Sequence, residues 1–133
     1  PYIMEVSPRG GGCKIAEIQH LATGINLIEA ELKKAVGEPV EGIHQPEFDG
    51  VWIEYVIHSE GETSGIFKEL QIDPEIMEKH VKVIDMTTKP GDLVEPFTGA
   101  NKALGDMFLR FDSREELDRV MENPSDWLHI ILE

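Results

Sequence analysis

The sequence contains very little cysteine, with Cys13 the single one among 133 residues. One thiol cannot form an internal disulfide, and chains without disulfides are typical of reducing compartments. Long apolar runs are also missing, since none approaches the roughly 18 residues that a membrane-spanning helix requires. No secretory or transit segment is recognisable. We therefore expect a cytoplasmic protein with no membrane partner.

Basic residues are scarce as well. The sequence has 12 Lys and Arg against 26 Asp and Glu, which gives a formal net charge of −14. A nucleic-acid-binding surface needs clustered Lys and Arg to neutralise phosphates, so we expect no nucleic-acid partner. The acidic excess is strong between residues 38 and 62, which include seven acidic residues and no Lys or Arg. A solvated surface that favours solubility explains this stretch.

The first third of the sequence predicts a strand, a glycine turn and two helices. Residues 2–6 form a short, mostly apolar run typical of a buried strand, and glycines occupy positions 10–12. Apolar residues then recur at helical spacing from 15 to 22, and Gly24 closes this helix. A second helix is predicted over residues 26–37, with Asn26 as its N-cap and Gly37 as its stop.

The second predicted helix is amphipathic. Glu29 and Lys33 form an i,i+4 pair in the favourable order. Its apolar stripe consists of Ile28, Leu32, Ala35 and Val36.

The rest of the sequence favours short strands. Residues 38–50 contain two prolines, two glycines and no periodicity, which is typical of a linker or a domain boundary. Ser113 and Glu116 form a capping box, which predicts a helix that turns Leu117, Val120 and Met121 inward. Runs typical of strands lie at 51–58, 65–72, 80–87, 107–112 and 127–132.

These patterns predict an α+β fold in two parts. The first part, residues 1–39, is a strand–helix–helix piece. A linker follows over residues 40–50, and residues 51–133 form a small antiparallel β-rich domain with one capped helix.

The chemically suggestive residues lie at the start of the sequence. Glu5, Ser7 and Arg9 share one face if the extended backbone continues through Pro8. Carboxylate and hydroxyl oxygens suit Mg²⁺, and a guanidinium binds phosphate or carboxylate. The glycines at 10–12 would let backbone N–H groups approach an anion before a helix N-terminus. From the residues alone, a surface ion pair followed by a tight strand-to-helix turn explains the pattern equally well.

An ordered set of motifs decides between these interpretations. The stretch EVSPRGGGCKIAEIQHLATGINLIEAELKKAVGEP contains Glu-Val-Ser-Pro-Arg, a glycine turn, Ala-Thr-Gly-Ile-Asn-Leu and Gly-Glu-Pro. In order and spacing, residues 1–39 resemble the C-terminal stretch of the ATP-grasp superfamily, which carries Glu-x-Asn-Pro-Arg at the first motif. Through its order of turns, strands and helix, the remainder resembles the small β-rich domain of biotin-carboxylase-like and carbamoyl-phosphate-synthase-like ligases.

The resemblance implies an ATP-dependent ligase that activates a carboxylate as an acyl phosphate, from which an amine or related nucleophile displaces the phosphate. It implies Mg²⁺ and ATP as cofactors, with Glu5 and Ser7 as metal ligands and with Glu5 and Arg9 at the nucleotide. Arg9 would act catalytically by stabilising charge on the transferred phosphate. The backbone near the acceptor substrate would be that of Gly10, Gly11 and Gly12.

The sequence departs from the family pattern at two places. Ser7 stands where the family usually has Asn, and a hydroxyl reaches less far toward a metal than a carboxamide does. Gly11 and Cys13 fill positions where biotin carboxylases carry polar and acidic side chains. The second departure favours a small carboxylate substrate other than bicarbonate.

The family binds its nucleotide with lysines and a glycine-rich loop that precede the Glu-x-Asn-Pro-Arg motif, and these 133 residues include neither. We therefore expect a C-terminal fragment whose partner is the upstream remainder of the enzyme. The alternative is a non-catalytic binding or oligomerisation module derived from the same domain, and homodimer formation stays open.

Other reactive or bulky residues have ordinary explanations. Cys13 has no identifiable base, and the five histidines lack metal-ligand spacing. Residues 89–92 are typical of a turn between strands. Trp52 and Trp127 are expected to pack in the core of the β-rich domain.

Overall fold

The computed structural model describes residues 11–12 and 14–133. The predicted strand at 2–6 lies outside these described residues. The chain divides into two compact units, Pro1–Asp49 and Gly50–Glu133, which we call the first unit and the second unit. The domain boundaries that the sequence suggests, at 39–40 and at 50–51, remain a prediction. Within the described residues, no helix is long and apolar enough to cross a membrane.

The first unit contains two short helices, α1 (Ile15–Thr23) and α2 (Leu27–Ala35). Gly24 ends α1 with φ of 75°, a conformation that glycine adopts without steric cost, and its N–H donates to His20 O. Asn26 caps α2 because its side chain accepts a hydrogen bond from the Glu29 N–H at 3.0 Å. Both helices thus begin or end at the residues that the sequence predicted.

Residues 36–49 contain no helix or strand. The end of this segment returns to α1, because the Asp49 N–H donates to Ala22 O at 3.4 Å. Ala22 is the one buried side chain among the described residues of the first unit. Residues 11–12 and 14–49 therefore form almost no core among themselves.

The second unit contains two three-stranded antiparallel sheets, with strand orders β1-β5-β3 and β4-β2-β6. Its strands are β1 (Val51–Ile57), β2 (Gly65–Ile72), β3 (Val81–Met86), β4 (Leu93–Val94), β5 (Gly105–Phe111) and β6 (Leu128–Leu132). The sequence predicted five of these strands and missed β4, which has only two residues. The predicted α+β class and antiparallel sheets are confirmed.

The central strand β5 supplies much of the core. Every second residue from 107 onward points to the same face of this strand. The side chains on that face are those of Met107, Leu109 and Phe111, and all three are 0% exposed. Gly105 begins the strand where it passes β3, and a Cβ added there would lie 2.5 Å from the Asp85 carbonyl oxygen. The close approach of these two strands therefore requires glycine.

Helices α3 (Pro74–Lys79) and α4 (Arg114–Met121) flank the sheets. Ser113 caps α4 by accepting from the Glu116 N–H at 3.2 Å. Glu116 in turn accepts from the Asp112 N–H, one residue before the position that a standard capping box uses. Leu117 is buried, and Val120 and Met121 pack against the core, as the helical spacing predicted.

The two tryptophans have different environments. Trp127 belongs to the core cluster, and its indole N–H donates to Val120 O at 3.0 Å. Trp52 is half-buried and alternates along β1 with Val51 and Ile53, which pack against the core. Because successive strand residues face opposite sides, the prediction that Trp52 packs in the core is wrong.

Candidate functional site

Of the site residues predicted from the sequence, the structure describes Gly11 and Gly12. Both are exposed and precede α1. Glu5, Ser7, Arg9 and Gly10 lie outside the described residues, so their places in a site remain predictions.

The glycine turn leads into a helix start without a side-chain cap. Lys14 occupies the N-cap position in the left-handed conformation, with φ of 53°, and its side chain makes no capping hydrogen bond. The Ile15 N–H donates to Gly12 O at 3.3 Å. Backbone N–H groups in the first turn of a helix carry partial positive charge. Residues 11 and 12 therefore precede the partially positive start of α1.

The two described glycines differ in the space around them. A Cβ on Gly11 would lie 2.8 Å from Ile15 Cδ1, whereas a Cβ on Gly12 would meet no atom within 4 Å. Gly11 is thus constrained by a flexible side chain of α1. Gly12 is open, which is the property needed for a ligand to approach the backbone.

A cavity of about 320 Å³ lies in the first unit, between the end of α1, the start of α2 and residues 40–44. Thr23 Oγ1 donates to Gln19 O at 2.6 Å and accepts from the Ile25 N–H. Asn26 Oδ1 caps α2, and His44 Nδ1 lies 2.8 Å from Gly42 O. The hydrogen bonds of these polar side chains hold the local backbone, so we assign the cavity no catalytic role.

Glu29 and Lys33 also line this cavity, and their side chains form an ion pair at 2.6 Å. The hydrogen bond from Lys33 and its positive charge lower the pKa of Glu29 below its usual value. Both side chains are solvent-exposed, so the pair contributes little to stability. The sequence predicted this pair.

A second cavity, of about 230 Å³, lies in the second unit and was not predicted from the sequence. Ser59 is 2% exposed, and its hydroxyl donates to Glu95 O at 2.8 Å. His58 stacks on Phe97 and reaches the carbonyl of Ser59 rather than its hydroxyl. A nucleophile requires its hydroxyl near a base, so Ser59 and His58 do not form a catalytic pair.

Tyr55 also lines this second cavity. Burial, together with the nearby negative charge of Glu60, raises the pKa of Tyr55 above its usual value. A raised phenol pKa keeps the group neutral near pH 7, so it can serve as a hydrogen-bond donor there. The only sequence signal for this cavity is the polar run His58-Ser59-Glu60 at the end of β1.

A charged cluster joins α3, β5 and α4. Lys79 Nζ lies 2.5 Å from Glu116 Oε1, and His80 Nε2 lies 3.9 Å from the same oxygen. His80 is 3% exposed, stacks on Phe111 and has Nδ1 3.1 Å from Arg110 O. The Lys79 hydrogen bond and the Asp112 N–H lower the pKa of Glu116 to about 2. Each of these side chains has a partner within the fold, so we assign the cluster a structural role: it connects α3, β5 and α4.

No group of three or more His, Cys, Asp or Glu that could hold a metal ion occurs among the described residues. The predicted magnesium ligands, Glu5 and Ser7, precede them. Their donor atoms, a carboxylate and a hydroxyl, are the hard oxygen ligands that Mg²⁺ prefers.

The fold is similar to those of two solved ATP-grasp enzymes. The L-amino acid ligase from Bacillus licheniformis matches 100% of this chain with a TM-score of 0.75 and 26% identity. The phosphoribosylglycinamide synthetase from Anaerococcus prevotii matches 90% of it with a TM-score of 0.69 and 18% identity, a likeness that shows the fold alone. This chain spans 33% and 30% of the lengths of those two chains.

No model of a known protein family matches the chain, and no curated protein matches it. The likeness to solved structures nevertheless extends over the β-rich second unit as well as the first. The resemblance to the ATP-grasp superfamily that residues 1–39 predicted is thus confirmed, and the fold of this chain matches about a third of each of these two ATP-grasp enzymes.

Proposed function

We propose that this chain is the C-terminal part of an ATP-dependent ligase that joins a carboxylate to an amine or a related nucleophile. The observation that carries the proposal is the match of the whole chain to an L-amino acid ligase at 26% identity. The order of motifs from Glu5 to Pro39 supports it independently. The single cysteine supports a cytoplasmic location, as the sequence predicted.

In the proposed reaction, a carboxylate oxygen of the substrate attacks the γ-phosphorus of ATP, and ADP leaves. The nucleophile then attacks the acyl carbon, and inorganic phosphate leaves. Arg9 would stabilise negative charge on the phosphate in both steps. Bound Mg²⁺, held by Glu5 and Ser7, would supply charge neutralisation at the phosphates.

The described residues support a role for the glycine turn in holding the acceptor substrate. The open space beside Gly12 and the partially positive start of α1, which has no side-chain cap, favour the approach of an anionic group. We assign Gly10, Gly11 and Gly12 to this part of the site.

The test uses the full-length protein encoded by the gene. The protein is incubated with ATP, Mg²⁺ and individual L-amino acids, and ADP is measured together with hydroxamate formed when hydroxylamine traps an acyl phosphate. Arg9→Ala should lower turnover by about 100-fold or more. Arg114→Ala is the matched control, because Arg114 is exposed and pairs only with Asp118 on the surface of α4. An Arg9→Ala protein with undiminished turnover would overturn the assigned role.

The second candidate is a non-catalytic binding or oligomerisation module, and the separate core of the second unit favours it. Calorimetric titration of the 133-residue chain with Mg-ATP should show weak binding or none. Tight binding with turnover by this chain alone would contradict the proposal that the nucleotide site needs upstream segments. A gene with no coding sequence upstream of Pro1 would favour the module.

A further inference from the structure

Helix α2 carries an apolar stripe that the structure leaves exposed. Ile28, Leu32 and Val36 are 43%, 64% and 73% exposed, and Ala35 between them is exposed as well. At about 100° per residue, these four positions cover an arc of roughly 100°. A helix normally turns a stripe of this width toward a core.

The first unit already packs against another face of α2. Leu27 and Ala30 are half-buried, and they lie on the opposite side of the helix from Leu32. Glu29 and Lys33 occupy one arc between the two apolar faces, and Glu31 occupies the other. Helix α2 therefore has one apolar face turned toward its own unit and a second one that is largely exposed at Leu32 and Val36, while Ile28 also lines a small cavity beside α1.

The occupant of this second face can be inferred from chain length. Two-thirds of the L-amino acid ligase chain has no counterpart in these 133 residues, although the match covers all of them. A second copy of this chain is a poorer candidate, because stable interfaces between separate proteins bury about 800 Å² per partner. Three aliphatic side chains on a nine-residue helix supply only part of that area. A covalently connected segment needs less area because its effective concentration is high.

We infer that the stripe of Ile28, Leu32 and Val36 is the docking surface for the upstream part of the parent polypeptide. This inference rests on the proposed function, and it adds the surface through which the two parts of the enzyme are joined.

Carbene footprinting of the 133-residue chain and of the full-length parent tests the inference. Leu32 should be labelled strongly in the short chain, to the level of Leu93, which is 66% exposed. In the parent, labelling of Leu32 should fall to the level of Leu109, which is 0% exposed, while Leu93 keeps its labelling. Equal labelling of Leu32 in both proteins would overturn the inference.

Leu32→Asp provides a second measurement. It should lower the unfolding temperature of the parent and leave that of the short chain unchanged, whereas Leu93→Asp should leave that of the parent unchanged. Sedimentation of the short chain identifies a competing occupant, because a dimer that Leu32→Asp dissociates would assign the stripe to a second copy.

The tests separate failure of the inference from failure of the proposed function. A parent ligase that is active while Leu32 stays labelled refutes only the docking surface. A gene without upstream sequence refutes the proposed function, and the occupant named here with it.

Discussion

The two units of this chain are stabilised in different ways. The second unit buries ten side chains in one cluster, whereas the first unit buries Ala22 alone among its described residues. The helices of the first unit form because local signals favour them, such as the Asn26 cap and the Gly24 stop. Isolated helices of about nine residues are marginal in water without packing. The comparison shows that good helix signals do not by themselves provide a core.

The largest expected difference in stability between the two units appears when one leucine in each is truncated to alanine. Leu109→Ala removes a fully buried side chain of β5 and should lower the free energy of unfolding of the second unit by about 3 kcal/mol. Leu32→Ala in the 133-residue chain removes a side chain that is already 64% exposed and should change stability by less than about 0.5 kcal/mol. Urea unfolding followed by far-ultraviolet circular dichroism, which reports the helices of the first unit as well as the strands of the second, measures both. Equal losses would contradict the difference between the units.

The next largest difference in stability is expected between alanine substitutions at two glycines, one in each unit. Gly105→Ala should destabilise the second unit by about 2 kcal/mol, because the new Cβ overlaps a backbone carbonyl of β3 that cannot turn aside. Gly12→Ala adds a methyl group to open space, so stability should be unchanged. Thermal unfolding of the two variants distinguishes them, and a stable Gly105→Ala protein would show that β3 and β5 can separate.

A smaller effect is expected when the N-cap side chain of one helix in each unit is removed. Ser113→Ala should lower the stability of the second unit by about 1 kcal/mol, since the Glu116 N–H loses its acceptor beside a packed helix. Asn26→Ala removes the same type of bond from α2 and should instead speed hydrogen exchange of the first α2 amides. Exchange measured by mass spectrometry, peptide by peptide, reports both. Unchanged exchange in α2 would mean that another group holds its start.

The smallest expected effect is pH-dependent. The pKa of Glu116 in the folded protein is about 2, below its ordinary value of 4.5, so this carboxylate stabilises the fold above pH 4.5. That stability is lost as the pH falls through about 2. Glu116→Gln should therefore lower the unfolding temperature at pH 7 and have no effect near pH 2.

Glu29→Gln is the control for Glu116→Gln. Its carboxylate is also paired with a lysine, yet both side chains are exposed on a single helix and the pair is screened by solvent. At pH 7, Glu29→Gln should lower the unfolding temperature by less than Glu116→Gln does. A larger effect would show that the first unit depends on this pair.

Much of the fold was predictable because its signals are local. Asn26, Ser113 and Gly24 each fix a helix end through one side chain or one backbone angle. Alternation likewise located five of the six strands. Strand order and the two-residue strand β4 were not predictable, because pairing depends on residues far apart in the chain.

The candidate site was predictable only in part. The helix start after Gly12 lies where the sequence predicted it, but the cavity beside Tyr55 combines residues from β1 and β6, and its one local signal, the polar run His58-Ser59-Glu60, does not predict a cavity. The exposed stripe on α2 could not be anticipated either, since amphipathic spacing reports that a face is apolar and not what covers it. The roles of Glu5, Ser7 and Arg9 remain predictions.

The strand order of the second unit has a consequence for synthesis on the ribosome. Strand β1 pairs with β5, from Val51 opposite Phe111 to Ile57 opposite Gly105, and β2 pairs with β6 at the end of the chain. The first sheet cannot be completed until β5 (Gly105–Phe111) has emerged, and the second cannot be completed until β6 (Leu128–Leu132) has emerged. The second unit therefore cannot complete its sheets until β5 and β6 have both emerged, and until then β1 and β2 lack these partners and expose apolar side chains that chaperones can bind.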